Sequence, residues 1–267
     1  MILAVNAGNA LISVGLYEKR GKYAKAMLSG CSTATSYEIS YKLQSFFQSA
    51  GCEPFQVEGA IISPVNPVTS AAVTEAVKMT CGTTPLIVEP GIRTGLDILL
   101  KDPAIMGPDL VAASVAALNK FEPPIIVVVI GATALAIVSI NEKGQFMGGA
   151  IAPSPQLGLS ALCASAAYLP ASAIEAPTRL IGTDTKECVN SGIVYGTAAM
   201  VRGMAEMMID KIGESVHNNS VSRGKATLVI TGSVAPAIVP YLGIEAEHDP
   251  NLLLDGLHIL YHRNRRK

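Results

Sequence analysis

Few side chains in this sequence are placed to do chemistry, and they are scattered. Asp109 follows Gly107-Pro108 and precedes Leu110 at the start of an apolar run. Pro108 suits the first turn of a helix, and a carboxylate suits the positive end of its dipole. A helix-start carboxylate is therefore one reading of Asp109. Thr231-Gly232-Ser233 ends a short apolar run, so it is either a backbone nest beside a nucleotide or a plain turn. His258 and His262 stand at i and i+4. That spacing can hold zinc, but no Glu follows the first His and no third ligand is evident, which favours a satisfied surface pair. Pro90-Gly91-Ile92-Arg93-Thr94-Gly95 is rich in glycine and proline, which argues for a specific backbone path. No nucleophile-elbow motif and no P-loop motif occurs.

The elements that must position these residues come as a repeat. Residues 2–17 read as an apolar strand, a turn at Gly8 and a second apolar strand, followed by the polar turn Glu18-Lys19-Arg20-Gly21. Residues 125–140 repeat the design: Gly8 falls on Gly131, Gly21 on Gly144 and Tyr23 on Phe146. After each hairpin, strands and helices alternate. The first half reads β-β-β-α-β-α-β, with helices expected over 36–50 and 68–79 and Ser36 as an N-cap. The second half has a strand over 146–152, helices over 157–168 and from Thr183 or Asp184 to about 212, a strand over 226–230 and a last helix to Tyr261. The Ala, Met and Gly content of the long helix, including Gly192 and Gly196, suggests close packing. This pattern predicts an α/β fold of two domains of duplicated topology, residues 1–121 and 122–267, with a cleft between them.

Composition sets the outer limits. The chain has 267 residues, 49% of them hydrophobic and 15% charged, so a large core is expected and general disorder is not. Lys+Arg 20 against Asp+Glu 21 leaves a net charge of −1, which supplies no attraction to nucleic acid or to a membrane surface. The basic end Arg263-Asn264-Arg265-Arg266-Lys267 reads as a solvated tail, and the polar stretch 217–225 as a mobile one. Cys31, Cys52, Cys81, Cys163 and Cys188 form no C-x-x-C pair, which suits a reducing cytoplasm. No basic region precedes the first apolar run, so no signal peptide is expected. The uncharged run 125–138 is too short to span a bilayer.

Taken in order, Pro90-Gly91-Ile92-Arg93-Thr94-Gly95, Gly107-x-Asp109, Gly148-Gly149-Ala150-Ile151-Ala152-Pro153, Gly192-Ile193-Val194-Tyr195-Gly196 and the stretch 250–263 resemble the type III pantothenate kinases, of the superfamily of acetate kinase, heat-shock cognates and actin. The resemblance implies two ribonuclease-H-like (actin-like) domains. It implies transfer of phosphate from ATP with Mg²⁺ to pantothenate, the first step of coenzyme A synthesis, in a cytoplasmic homodimer that uses K⁺ or NH₄⁺. It also implies roles. Asn6, Gly8 and Asn9 and the turn Gly131-Ala132-Thr133 would face the ATP phosphates, where backbone N–H groups can cradle phosphate unaided. Thr231 and Gly232 would lie near adenosine. Asp109 would be the general base on pantothenate, with Thr94, Gly95, Gly107, Pro108 and Leu110 around the substrate. Thr185 would reach pantothenate in the partner subunit.

Set against that resemblance, the polar side chains of both turns are depleted. The family's Asp-x-Gly-Asn-Thr is Asn6-Ala7-Gly8-Asn9-Ala10, and its Asp-x-Gly-Thr-Ala-Thr is Val129-Ile130-Gly131-Ala132-Thr133-Ala134. Gly-Ala-Asp-Arg is Gly107-Pro108-Asp109-Leu110, and Thr-Gly-Gly is Thr231-Gly232-Ser233. Mg²⁺ and K⁺ take oxygen ligands. Asn6 keeps an oxygen without its charge, so the Mg²⁺ position is weakened, and Val129 keeps none, so the monovalent-cation position is expected to be lost. Ala10 and Ala132 remove hydroxyls, and Leu110 removes a guanidinium that would pair with the substrate carboxylate. Glu89 and Asp97 are the candidate replacement ligands. The expectation is an impaired pantothenate kinase; the alternative is a pseudokinase, a dimeric metabolite-binding or regulatory protein.

Overall fold

The computed structural model describes residues 1–18, 21–29, 33–166, 169, 173–214 and 226–265. Lys19 and Arg20 of the first polar turn, Cys31, Tyr168, the stretch 217–225 and residues 266–267 lie outside them. β1 (Ile2–Ala7) turns tightly into its antiparallel partner β2 (Ile12–Glu18), which pairs in turn with β3 (Gly21–Leu28). α1 (Ser36–Ser49), β4 (Gly59–Pro64), α2 (Pro67–Cys81) and β5 (Leu86–Ile87) follow. The sheet order is β3-β2-β1-β4-β5, with β4 parallel to β1 and β5 parallel to β4. The period-two pattern of β1 assigns its faces: Leu3, Val5 and Ala7 enter a core with Ile39, Leu43 and Phe47 of α1 and Val73 and Val77 of α2. Asn6 is therefore on the opposite face.

Local chemistry fixes the helix ends. The cap of α1 is Thr35 and not Ser36. Thr35 Oγ1 accepts the Glu38 N–H at 3.3 Å, and the Thr35 N–H donates to Glu38 Oε2 at 2.7 Å. A capping box needs a Glu or Gln three residues on, which Thr35 has and Ser36 lacks. Asn66 Oδ1 caps α2 by accepting from Val68 N at 3.0 Å, with Pro67 in the first helical position.

β6 (Asp97–Ile98), α3 (Pro108–Lys120), β7 (Ile125–Ile130), β8 (Ala134–Ile140), β9 (Gln145–Pro153), α4 (Pro155–Ser165), α5 (Thr185–Glu214), β10 (Thr227–Gly232), α6 (Ala235–Ile238), β11 (Glu247–His248) and α7 (Leu252–Asn264) complete the chain. The second sheet runs β11-β10-β7-β8-β9-β6. Without β6, that order read from β9 reproduces β3-β2-β1-β4-β5 strand for strand, with the same parallel and antiparallel pairings. The repeat seen in the sequence is thus a repeat of topology: the fold is α/β, two mixed sheets of duplicated design. In the second core, Val194, Ala198, Val201 and Ala205 of α5, three and four residues apart, pack with Ile126, Val128 and Ile137. Gly192 and Gly196 do not serve this packing: both are exposed, and among the described residues nothing beyond their own helix lies within 4 Å of where a Cβ would stand.

By packing the chain forms two compact units and not two consecutive halves. The first is Met1–Gly95, Lys101–Ala116 and Asn251–Lys267; the second is Leu96–Leu100 and Ala117–Pro250. α7 therefore belongs with the first sheet. Side chains at Gly59 or Gly256 would collide with Tyr261 and with the Ala112 backbone, so α7 lies hard against β4 and α3. Tyr17 OH donates to Asp255 Oδ1 at 2.7 Å. Among the described residues, Cys52, Cys81, Cys163 and Cys188 form no disulfide. Among the described residues, no helix is long and apolar enough to cross a membrane.

Candidate active site

The residues singled out divide between the two units. In the first, the chain leaves β1 through Gly8, whose N–H donates to Leu11 O at 3.2 Å. A Cβ on Gly8 would sit 2.8 Å from that carbonyl, closer than side chains tolerate. Asn6 pairs with Ser63 of the parallel neighbour β4. Asn6 Oδ1 and Ser63 Oγ are both buried and without a hydrogen-bond partner. Asn9 and Ala10 are exposed at the tip.

Asp109 is the second residue of α3, and its Oδ1 accepts the Leu110 N–H at 2.9 Å. It is the helix-start carboxylate that its position predicted. It is also half-buried, and desolvation pushes its carboxyl above the usual range, opposed by the backbone hydrogen bonds. Gly107, Pro108 and Leu110 are half-buried around it.

The loop carrying Thr94 and Gly95 is fastened by α7. The Arg93 N–H donates to Asn264 Oδ1 at 2.8 Å, and Asn264 Nδ2 donates to Arg93 O at 2.9 Å. The Arg263 guanidinium donates to Thr94 O. Arg263 and Asn264, read from the sequence as part of a solvated tail, are instead the last turn of a helix. No local pattern announces these contacts, because Arg263 is 169 residues from Thr94 and Asn264 is 171 from Arg93. Glu89 is exposed.

In the second unit, the turn after β7 repeats the first. Gly131 N–H donates to Ala134 O at 2.9 Å, and a Cβ there would meet that oxygen at 3.1 Å. Ser154 ties this turn down: its Oγ donates to Ala132 O at 2.6 Å, its N–H donates to Thr133 O at 3.1 Å, and Oγ also caps α4. Val129 is 7% exposed and pairs with Ala136 and Thr231. Because β10 is parallel to β7, with Gly232 beside Ile130, Thr231 and Gly232 come to the same strand ends as the Gly131 turn. Ligands of open α/β sheets gather at such carboxyl ends. Thr185 opens α5 as an exposed residue, next to Asp184, whose Oδ1 accepts the Glu187 N–H at 2.9 Å. It shares no element with the turn. Asp97 is engaged by Gln145 Nε2 at 2.6 Å.

The donor sets differ in what they fit. A hydrated divalent cation needs only one or two protein oxygens beside water and phosphate, and the unpartnered Asn6 Oδ1 fits that need. Position 129 presents hydrocarbon inside a buried strand and does not fit a monovalent cation. His258 and His262 share a hydrogen bond, Nε2 to Nε2 at 2.9 Å, with His258 stacked on Tyr17 at 4.4 Å. Among the described residues, no group of three or more His, Cys, Asp or Glu is arranged to hold a metal.

The chain is similar in sequence to known proteins along its length. A family profile described as type III pantothenate kinase matches residues 2–207. The chain belongs to the type III pantothenate kinase family. A type III pantothenate kinase of Moorella thermoacetica is 33% identical over 99% of this chain and 100% of its own length. One from Listeria welshimeri is 34% identical over 99% and 98%. Among solved structures, (R)-2-hydroxyglutaryl-CoA dehydratase component A of Acidaminococcus fermentans superposes with a TM-score of 0.55. It covers 96% of this chain and 94% of that one at 13% identity, a likeness of fold alone.

Proposed function

We propose that this protein is a cytoplasmic pantothenate kinase of reduced activity that needs a divalent cation and no monovalent one. The observation that carries this reading is Asp109, a half-buried carboxylate at the opening of α3 whose pKa desolvation raises, in a chain of this family. Asp109 accepts the proton of the pantothenate hydroxyl as that oxygen bonds to the γ-phosphorus of ATP and the bond to the departing ADP breaks. A base tuned upward toward neutrality suits that transfer. Backbone N–H groups around Gly8 and Gly131 face phosphate oxygens, and Thr231-Gly232 lies toward the nucleoside. Asn6 would hold a divalent cation, which when bound offsets negative charge on the phosphates. Leu110 offers pantothenate only apolar contact, so its carboxylate is held weakly. Thr185 acts across a homodimer on the partner's substrate. Each missing electrostatic contact costs on the order of 10²–10³ in rate, with strong non-additivity.

A specific observation supports the alternative, a pseudokinase that binds a metabolite: position 129 is absorbed into the apolar sheet. ADP release with pantothenate, ATP and Mg²⁺, with and without K⁺, separates the two. Turnover above an Asp109→Ala control and indifferent to K⁺ supports the kinase; turnover no greater than that control supports the pseudokinase.

A further inference from the structure

We infer that Asn264 and Arg263, at the C-terminal end of α7, are positioning residues for pantothenate: they hold the 90–95 loop in the shape its binding requires. The inference rests on the reading of Thr94 and Gly95 as substrate-facing. Between Val88 and β6 the loop carries a backbone bond from Ile92 N–H to Glu89 O at 3.1 Å. Asn264 holds it from outside. Its amide both accepts from Arg93 N–H and donates to Arg93 O, as a neighbouring strand would, and only a side-chain amide offers both groups at one place. Asn264 is itself fixed, because Nδ2 also donates to Leu260 O at 2.9 Å within the helix.

Arg263 adds the next contact, its guanidinium on the Thr94 carbonyl. Gly95 has φ +68°, and a side chain there would run into that guanidinium. The positive φ favours glycine, and any side chain there would have to displace the arginine passing over it. The helix end is a firm anchor, since α7 is seated on its sheet through Tyr261 over Gly59 and Asp255 on Tyr17. Residues held this way contribute to binding by preorganisation and need not touch the substrate.

Two measurements on the full chain test this: calorimetric titration with pantothenate, and limited trypsinolysis read at the Arg93–Thr94 bond by mass spectrometry. Asn264→Ala is expected to weaken pantothenate binding about tenfold, the scale of losing two hydrogen bonds. It should leave Mg-ATP affinity near wild type and speed the Arg93–Thr94 cut. Asn264→Asp, which keeps the acceptor and loses the donor, should fall between. Arg263→Met, which removes only the Thr94 contact, should repeat the direction without disturbing Asn264. An unchanged cutting rate in Asn264→Ala overturns the clamp itself. Faster cutting with unchanged pantothenate affinity, or wild-type protein that does not bind pantothenate, instead overturns the substrate reading of the loop on which the proposal rests.

Discussion

At the end of β1 the Gly8 N–H reaches Leu11 O; at the end of β7 the Gly131 N–H reaches Ala134 O, so the same turn is built twice. Two residues before each glycine the copies part. Asn6 keeps an oxygen that is buried and unpartnered, whereas Val129 is one more apolar residue of a buried strand. The difference separates what the fold needs from what chemistry needs. The turn needs a glycine because a carbonyl passes too close for a side chain, and it needs nothing polar two positions earlier. Folding of the second turn therefore does not call for a charged group at position 129. The first unit has an oxygen at Asn6 and a carboxylate at Asp109, so in the proposed reading the chemistry is concentrated there.

The strongest challenge to that contrast is Asp109→Asn, expected to lower ADP release by roughly 10²–10⁴-fold, the usual contribution of a general base. The same change should stabilise the fold at neutral pH. A carboxyl whose folded pKa is raised contributes most below the ordinary carboxylate range and loses that contribution as pH rises through its folded value. Removing the ionised form removes that loss, so urea unfolding at pH 7 should show a later midpoint.

The next effect separates the turns directly. Val129→Asp places a carboxylate inside an apolar strand and should cost about 3–5 kcal/mol in chemical denaturation, the scale of an uncompensated buried charge. Asn6→Asp, where an oxygen already stands, should cost much less. Equal costs would erase the distinction. Smaller again is the pair Gly8→Ala and Gly131→Ala. The first Cβ meets a backbone oxygen at 2.8 Å and the second at 3.1 Å, so the first should lose about 1–3 kcal/mol and the second less. The smallest is a pH effect confined to the first unit. Burial, then the charge of His262, holds His258 below the ordinary 6.5, with Asp255 opposing. Its contribution to stability is present above 6.5 and is lost as pH falls through the folded value. Thermal unfolding from pH 7.5 to 5.5 should show that decline in wild type and less of it in His258→Gln.

Much of this was legible in the sequence where the signal is local. The hairpins, the Gly turns and the order of elements follow from period-two runs and turn residues, and the two sheets repeat as the matched glycines implied. Ser36 was one residue from the true cap because the box partner, Glu38, is matched to Thr35. β6 was missed because a two-residue strand carries no alternation and exists only by pairing with β9. The place of α7 in the first unit and the hold of Asn264 on Arg93 depend on contacts between distant segments, and the basic composition of that end pointed to solvent instead. At the site, the glycine framework could be read directly. The half-burial of Asp109 and the Asn6 oxygen, without a partner among the described residues, could not, because burial is a property of packing.

The central claim is that the scaffold is kept and only polar groups were lost from it. The most direct measurement is the ADP-release rate, with pantothenate and Mg-ATP, of a variant carrying Asn6→Asp, Leu110→Arg and Ala132→Thr beside the native protein. The account predicts a rate at least about 10²-fold above native, the return of one or more preorganised contacts. A folded variant no faster than native would contradict it.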